Sequence, residues 1–437
     1  MNAKSLVQRS VALLLFLIVI GGAFYGTRMH QQAPEPTATP VTSVAWSTKR
    51  TDAISTLEMR LRKKPSDTQS SIQLAELYLQ EAQRSLQEAY YLPKAQDVLD
   101  SILARDNDDF SALTLQASLY NTLHQFEKAR DITRQLIARG NETGYIYGIL
   151  VDALVELGAY EEAVVACDRM IALRPGISSY SRAAYLRELH GDGDGAIEAM
   201  KLAAEAGVTG EEDRSWALYQ LGQLYLGNDD LASAEVIFNG ILDETPYYAY
   251  ALGGLAQVAL QRGDLAAAQK GFEEAYAFVP ADEFLEGLVE VQLALGDPEE
   301  VRALEGRLAQ SYRDADAMGE NVRMEYADFL VDIEKDLEHA LQLAQLEQER
   351  RPNHMHALET YAWALHKNDR SAEAIPYIER AMRLGTGDAM VHFRAAHIYQ
   401  GAGDPDMADL YFESALDANL HIESPSAAEE AKALLAG

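Results

Sequence analysis

Tyr145, Trp216, Tyr250 and Phe284 fall at the second position of successive helical segments, and the last three recur at a fixed interval of 34 residues. His356 and Met390 continue the file. At about 100° per residue, the second position lies about 160° from the fourth, which carries the apolar packing residue, so the file points away from the packing face. Aromatic side chains on an exposed groove offer large contact area at small entropic cost, which is the chemistry of peptide recognition. Tyr219, Trp363 and Phe393, at the fifth and ninth positions, extend the strip. Aromatics at helical spacing also fill cores, and a register shift of one residue would turn the file by about 100°. The sequence alone leaves both readings open.

Histidine gives a second reading. His339, His354, His356, His366, His392, His397 and His421 are seven of the ten histidines. His354 and His356, joined by His392 from the next repeat, are candidate ligands for a metal-handling or sensory protein outside the cytoplasm. Their scatter over several helices, with no H-x-x-x-H or C-x-x-C spacing, favours solvated or core histidines, and no metal set is assigned. Asp192, Asp194 and Gly195 share part of a calcium-loop pattern, but His190 stands where the first oxygen ligand belongs and no glutamate closes the loop. An interhelical turn accounts for them better. There is no Gly-rich phosphate loop, no nucleophile elbow and no His and Cys at catalytic spacing, so we expect no enzyme, no cofactor and no small-molecule substrate.

The elements that position these residues announce themselves by repetition. Leu218, Leu221, Gly222, Tyr225, Ala234, Phe238 and Pro246 are answered 34 residues later by Leu252, Leu255, Ala256, Ala259, Ala268, Phe272 and Pro280. A small residue in helix A and another in helix B let two helices approach closely, and a large apolar residue four places on fills the space between repeats. The helix-B alanines set the register: Ala95, Ala129 and Ala163, then Ala234 and Ala268, then Ala340, Ala374 and Ala408, each spaced by 34. Irregular units around Ala196 and Val301 interrupt the period.

About ten helical hairpins are expected between residues 51 and 421. Tyr78 and Ala95 lie eight residues farther apart than Tyr225 and Ala234, which predicts longer helices or a longer turn in the first unit. Asp297, Pro298 and Glu300 read as a helix start, with the helix running towards Tyr312. Asp314 to Asn321 read as a polar connection, with a bend or change of pitch there. Ser424 and Pro425 open a capping helix within 422–437.

With 68 acidic against 37 basic residues the net charge is −31, which repels phosphate backbones and excludes nucleic acid while attracting basic partners. The single cysteine, Cys167, takes the position held elsewhere by Phe238 and Phe272 and reads as a small buried hydrophobe. Lys4 and Arg9 precede an uncharged run from Val11 to Tyr25, and Arg28 follows. As a helix, the stretch between the arginines reaches about 27 Å, enough to span a bilayer core. Residues 1–28 are therefore expected to anchor the chain in the cytoplasmic membrane with the rest outside it; secretion after signal cleavage is the alternative. Residues 29–50, with Pro34, Pro36 and Pro40, read as an extended tether.

The residue pattern from Thr51 to Leu420 resembles bacterial tetratricopeptide-repeat proteins, and the run from Ser181 to Met200 is similar to a subgroup mostly of undefined function. The resemblance implies an all-α, right-handed superhelical solenoid whose A helices line a concave groove holding an extended peptide or partner helix, without catalysis. A membrane anchor followed by extracytoplasmic repeats is similar in layout to assembly factors for c-type cytochromes and to accessory chaperones of translocation. The family's carboxylate-clamping lysines and asparagines are not matched, since Gln223, Gln257, Gly253 and Gly287 stand at those positions. A protein or peptide partner is expected, together with contact to a membrane through the N-terminal helix.

Overall fold

The computed structural model describes residues 41–85, 88–317 and 321–436. The expected anchor, the tether as far as Pro40 and the side chain of Trp46 lie outside the described residues. Among those described, every regular element is helical, and no helix is long and apolar enough to cross a membrane. The first helix, Val41–Lys63, takes in the end of the stretch expected as tether, where no proline follows Pro40 to interrupt it. Ten helical hairpins follow, from Thr68–Ser85 with Glu88–Leu103 to Ala389–Ala402 with Pro405–Asp417. The long helices of the first hairpin, 18 and 16 residues, absorb its eight extra positions.

A recurrent turn converts the sequence into hairpins. A residue one or two places after helix A adopts the left-handed region and the next is an aspartate that caps helix B: Gly191 and Asp192, Gly263 and Asp264, Gly403 and Asp404, and also Asp229 and Asp230. The first residue releases the last carbonyls of helix A, and the aspartate accepts one of the orphan N–H groups of helix B. The partial calcium pattern is one of these turns, with Asp192 Oδ1 accepting from Gly195 N at 3.0 Å.

Inside each hairpin the alanine register is a contact surface. Ala95, Ala129, Ala163, Ala196, Ala234, Ala268, Ala340 and Ala374 have no exposed area. Phe238 fills the space between two repeats: a Cβ on Gly222 would reach its ring at 2.3 Å and one on Gly254 at 2.5 Å. Gly287 receives Phe272 in the same way, with a Cβ distance of 2.4 Å. Cys167 is buried at the equivalent position.

The chain divides into two compact units between Ala153 and Leu154. In the second, the hairpins coil far enough for residues about 200 positions apart to touch. Met355 N donates to Tyr160 Oη at 3.0 Å across 195 residues, and Arg383 Nη2 donates to the Gly158 carbonyl at 2.9 Å across 225. Asn419 Nδ2 reaches the Gly227 carbonyl at 3.2 Å, and Gln261 Nε2 the Ile422 carbonyl at 2.8 Å. The unit closes on itself.

Its irregular segment differs from expectation. Asp297 caps Pro298–Ala317 through Glu299 N and Glu300 N, both at 3.1 Å, but this helix continues through Asp314 where a polar connection was expected. Buried Val301, Leu304, Leu308, Tyr312 and Ala315 keep an apolar stripe along it, and that stripe outweighs the polar composition. The next A helix, Arg323–Phe329, passes into a π-helical turn, Leu330–Glu334. At the C-terminus Ser424 caps Pro425–Leu435, the closing helix expected there.

Candidate interaction face on the A helices

Three of the expected aromatic residues, Tyr219, Tyr250 and Phe284, form a physical chain of rings. Tyr219 and Tyr250 have centroids 5.4 Å apart, and Tyr250 and Phe284 5.8 Å. The rings lie on three consecutive A helices, Glu212–Gly227, Ala249–Gln261 and Asp282–Leu295. What differs is exposure. Tyr145, in the first unit, is 44% exposed and Tyr250 is half-buried, but Trp216 is 9% exposed and Phe284 2%. Tyr219, Trp363, Phe393, Met390 and His356 are also buried, so an open concave groove bearing the whole strip is corrected. Phe284 leans over the preceding A helix: a Cβ on Gly253 would come within 2.4 Å of its ring.

At the C-terminal end of the file the rings serve an ionic core. Trp363 Nε1 donates to Asp332 at 3.1 Å, on the π-helical turn, and Arg394 reaches Asp328 at 2.7 Å, Asp332 at 3.4 Å and Glu359 at 3.5 Å. The Arg394 guanidinium also lies 5.2 Å over the Trp363 ring. Burial raises the Asp332 carboxyl above its ordinary range, with Arg394 opposing. Phe393 packs against His397 and Phe412. A second buried cluster has Arg351 bridging Glu156 and Glu347, with Nε to Glu347 Oε1 at 2.6 Å.

Between Trp216 and Phe284 the face is different in kind. Trp216 Nε1 and Gln220 Nε2 are buried donors without a hydrogen-bond partner, and Glu283 Oε1 is a buried acceptor without one. Burial, then the neighbouring Asp282 carboxylate, pushes the Glu283 carboxyl up to about 8. Burial, then Glu283, raises the Tyr250 phenol. Sequence reasoning found the rings but missed Gln220, Glu283 and both ionic clusters. The available signal was a charged residue set within otherwise apolar A helices, as at Glu286, Glu359 and Arg394.

The His354 and His356 rings lie 5.7 Å apart and those of His366 and His397 6.2 Å, and each of these histidines has further partners. His354 Nδ1 accepts from Ala357 N at 3.3 Å as a helix cap, and burial, then Arg351, holds its pKa well below the ordinary range. His356 sits 3.5 Å from Glu359. His392 Nε2 lies 2.9 Å from the Thr386 carbonyl. Burial lowers His366 to about 4 and His397 to about 3. His339 packs edge-on against Tyr326, and His421 pairs with Asp229 at 3.3 Å. Among the described residues no group of three His, Cys, Asp or Glu could hold a metal ion.

Residues 391–421 match the tetratricopeptide repeat family. No curated protein matches the chain. Among solved structures it is similar to a chain of the APC/C hetero-tetramer Cut9-Hcn1, at 14% identity and a TM-score of 0.39, covering 98% of this chain and 62% of that one. The chain thus spans less than two thirds of that protein's length. It is similar to yeast Tom70 at 16% identity and a TM-score of 0.36, covering 89% and 93%. It is also similar to YrrB, a TPR protein with an unusual peptide-binding site, at 20% identity and a TM-score of 0.31, covering 45% and 95%. The chain is a repeat protein, all-helical among the described residues, that carries a tetratricopeptide repeat near its C-terminal end.

Proposed function

We propose that this chain is a non-catalytic protein-interaction scaffold that holds a segment of a protein partner against its A helices. The observation that carries the reading is the ring file from Tyr219 through Tyr250 to Phe284, on three consecutive repeats and flanked by buried polar atoms without partners. Aromatic surface with nearby unsatisfied donors is what a bound backbone segment uses. A photoreactive residue at Tyr250 is expected to capture one dominant partner in living cells. A matched position at Gln269 on a B helix is expected to capture it at least about ten-fold less. Capture from Gln269 alone would move the binding face to the B helices.

The setting we propose is a bacterial cell envelope. The run from Val11 to Tyr25 between Arg9 and Arg28 supports a membrane anchor, with the repeats outside the cytoplasm. Cys167 is 2% exposed, so a cysteine introduced at Val236, 70% exposed, is the accessible thiol. A membrane-impermeant maleimide should label Val236→Cys in intact spheroplasts. Labelling only after lysis would place the repeats inside.

A further inference from the structure

We propose that the face shared by Tyr219, Tyr250 and Glu283, beside Trp216 and Gln220 on the helix of Tyr219, is a subsite for a lysine or arginine side chain of the bound segment, an inference that rests on the scaffold reading. Trp216, Tyr219 and Gln220 stand at i, i+3 and i+4 on one helix and share its face. Tyr219 meets Tyr250 of the next repeat at 5.4 Å, and both phenols lie within electrostatic reach of Glu283. Glu283 brings a carboxyl whose Oε1 is buried and unpartnered. The charge acting on that carboxyl is another carboxylate, Asp282, which accepts from Ser311 Oγ at 2.8 Å.

A carboxyl in this position is held protonated by burial and by a like charge, and a cation brought to it restores its ionisation. Tyrosine faces add attraction for an ammonium or guanidinium group. Access exists, because Tyr250 and Glu283 are half-buried rather than sealed. The net charge of −31 favours encounter with such a segment and disfavours an acidic one.

The test is selection of a random-peptide library on the full chain, followed by titration of the selected peptides as fluorescent probes. Selected sequences should share a basic residue. Replacing that residue by alanine, or making Glu283→Gln in the chain, should weaken binding by about ten-fold at an unchanged melting temperature. Peptides without a basic residue whose binding depends on Tyr250 would overturn the inference and leave the scaffold reading standing. Basic peptides that bind the Glu283→Gln chain equally well would overturn it too, and a selection that enriches nothing would remove both.

Discussion

Replacing Arg394 by alanine should cost the second unit about 3–5 kcal/mol of unfolding free energy, read as a lowered urea midpoint by the fluorescence of Trp363. The guanidinium is 1% exposed and stands within 3.5 Å of Asp328, Asp332 and Glu359, so its removal leaves these carboxylates, two of them buried, facing one another without the group that joins them. The loss should depend on pH. Burial already raises Asp332, and Arg394, 3.4 Å away, is the leading charge that opposes the shift. Without Arg394 the native pKa climbs further. A carboxyl whose folded pKa lies above its unfolded value contributes stability below the unfolded pKa and loses it as pH rises through the folded one. The variant should therefore be closest to the parent in mild acid and farthest from it above neutrality. Arg394→Lys should fall between, since an ammonium cannot span three carboxylates as a planar guanidinium does. Arg370→Ala serves as the control: its pair with Glu373 at 2.8 Å is exposed, and its loss should leave the midpoint unmoved. Equal effects of Arg394→Ala and Arg370→Ala, or a penalty indifferent to pH, would show that the ionic core carries no net stability.

The repeat was legible in the sequence because each hairpin is decided locally. The alanines at 34-residue spacing, the phenylalanine that fills the gap and the left-handed residue before an aspartate cap act within one hairpin or its neighbour, and the structure places them as the spacing requires. The extent of coiling was not legible. It accumulates from small rotations between successive hairpins, and its outcome appears only where residues 195 positions apart meet, as Met355 meets Tyr160. The order of the aromatic file was readable while its exposure was not: Phe284 is covered by packing against Gly253 of the preceding repeat, not by anything in its own helix. Glu283 was hidden for a related reason. In sequence it is one acidic residue in the first turn of a helix, where carboxylates are expected. Only the neighbouring A helices, with Tyr219 and Tyr250, turn it into a buried carboxyl.

The closure of the second unit on itself should fail at a single added methyl group. Gly158 turns the chain between helices Gly144–Glu156 and Tyr160–Leu173 at φ +68°, and a Cβ there would lie 2.2 Å from the Asn353 carbonyl oxygen and 2.3 Å from its carbon. Those are backbone atoms and cannot swing aside, so Gly158→Ala must separate the two turns. Gly263 occupies the same kind of turn at φ +78° with nothing within 4 Å of its Cβ position, so Gly263→Ala carries only the left-handed strain, about 1 kcal/mol. The difference between the two variants isolates the contact between turns. We expect Gly158→Ala to lose at least about 2 kcal/mol more, within the range of overpacking. The Met355 amide, which donates to Tyr160 Oη at 3.0 Å, should exchange faster in that variant alone. Helical content should stay close to that of the parent, because neighbouring hairpins keep their packing. If the two variants lose the same stability and Met355 stays protected, the turns are held together by something other than this contact.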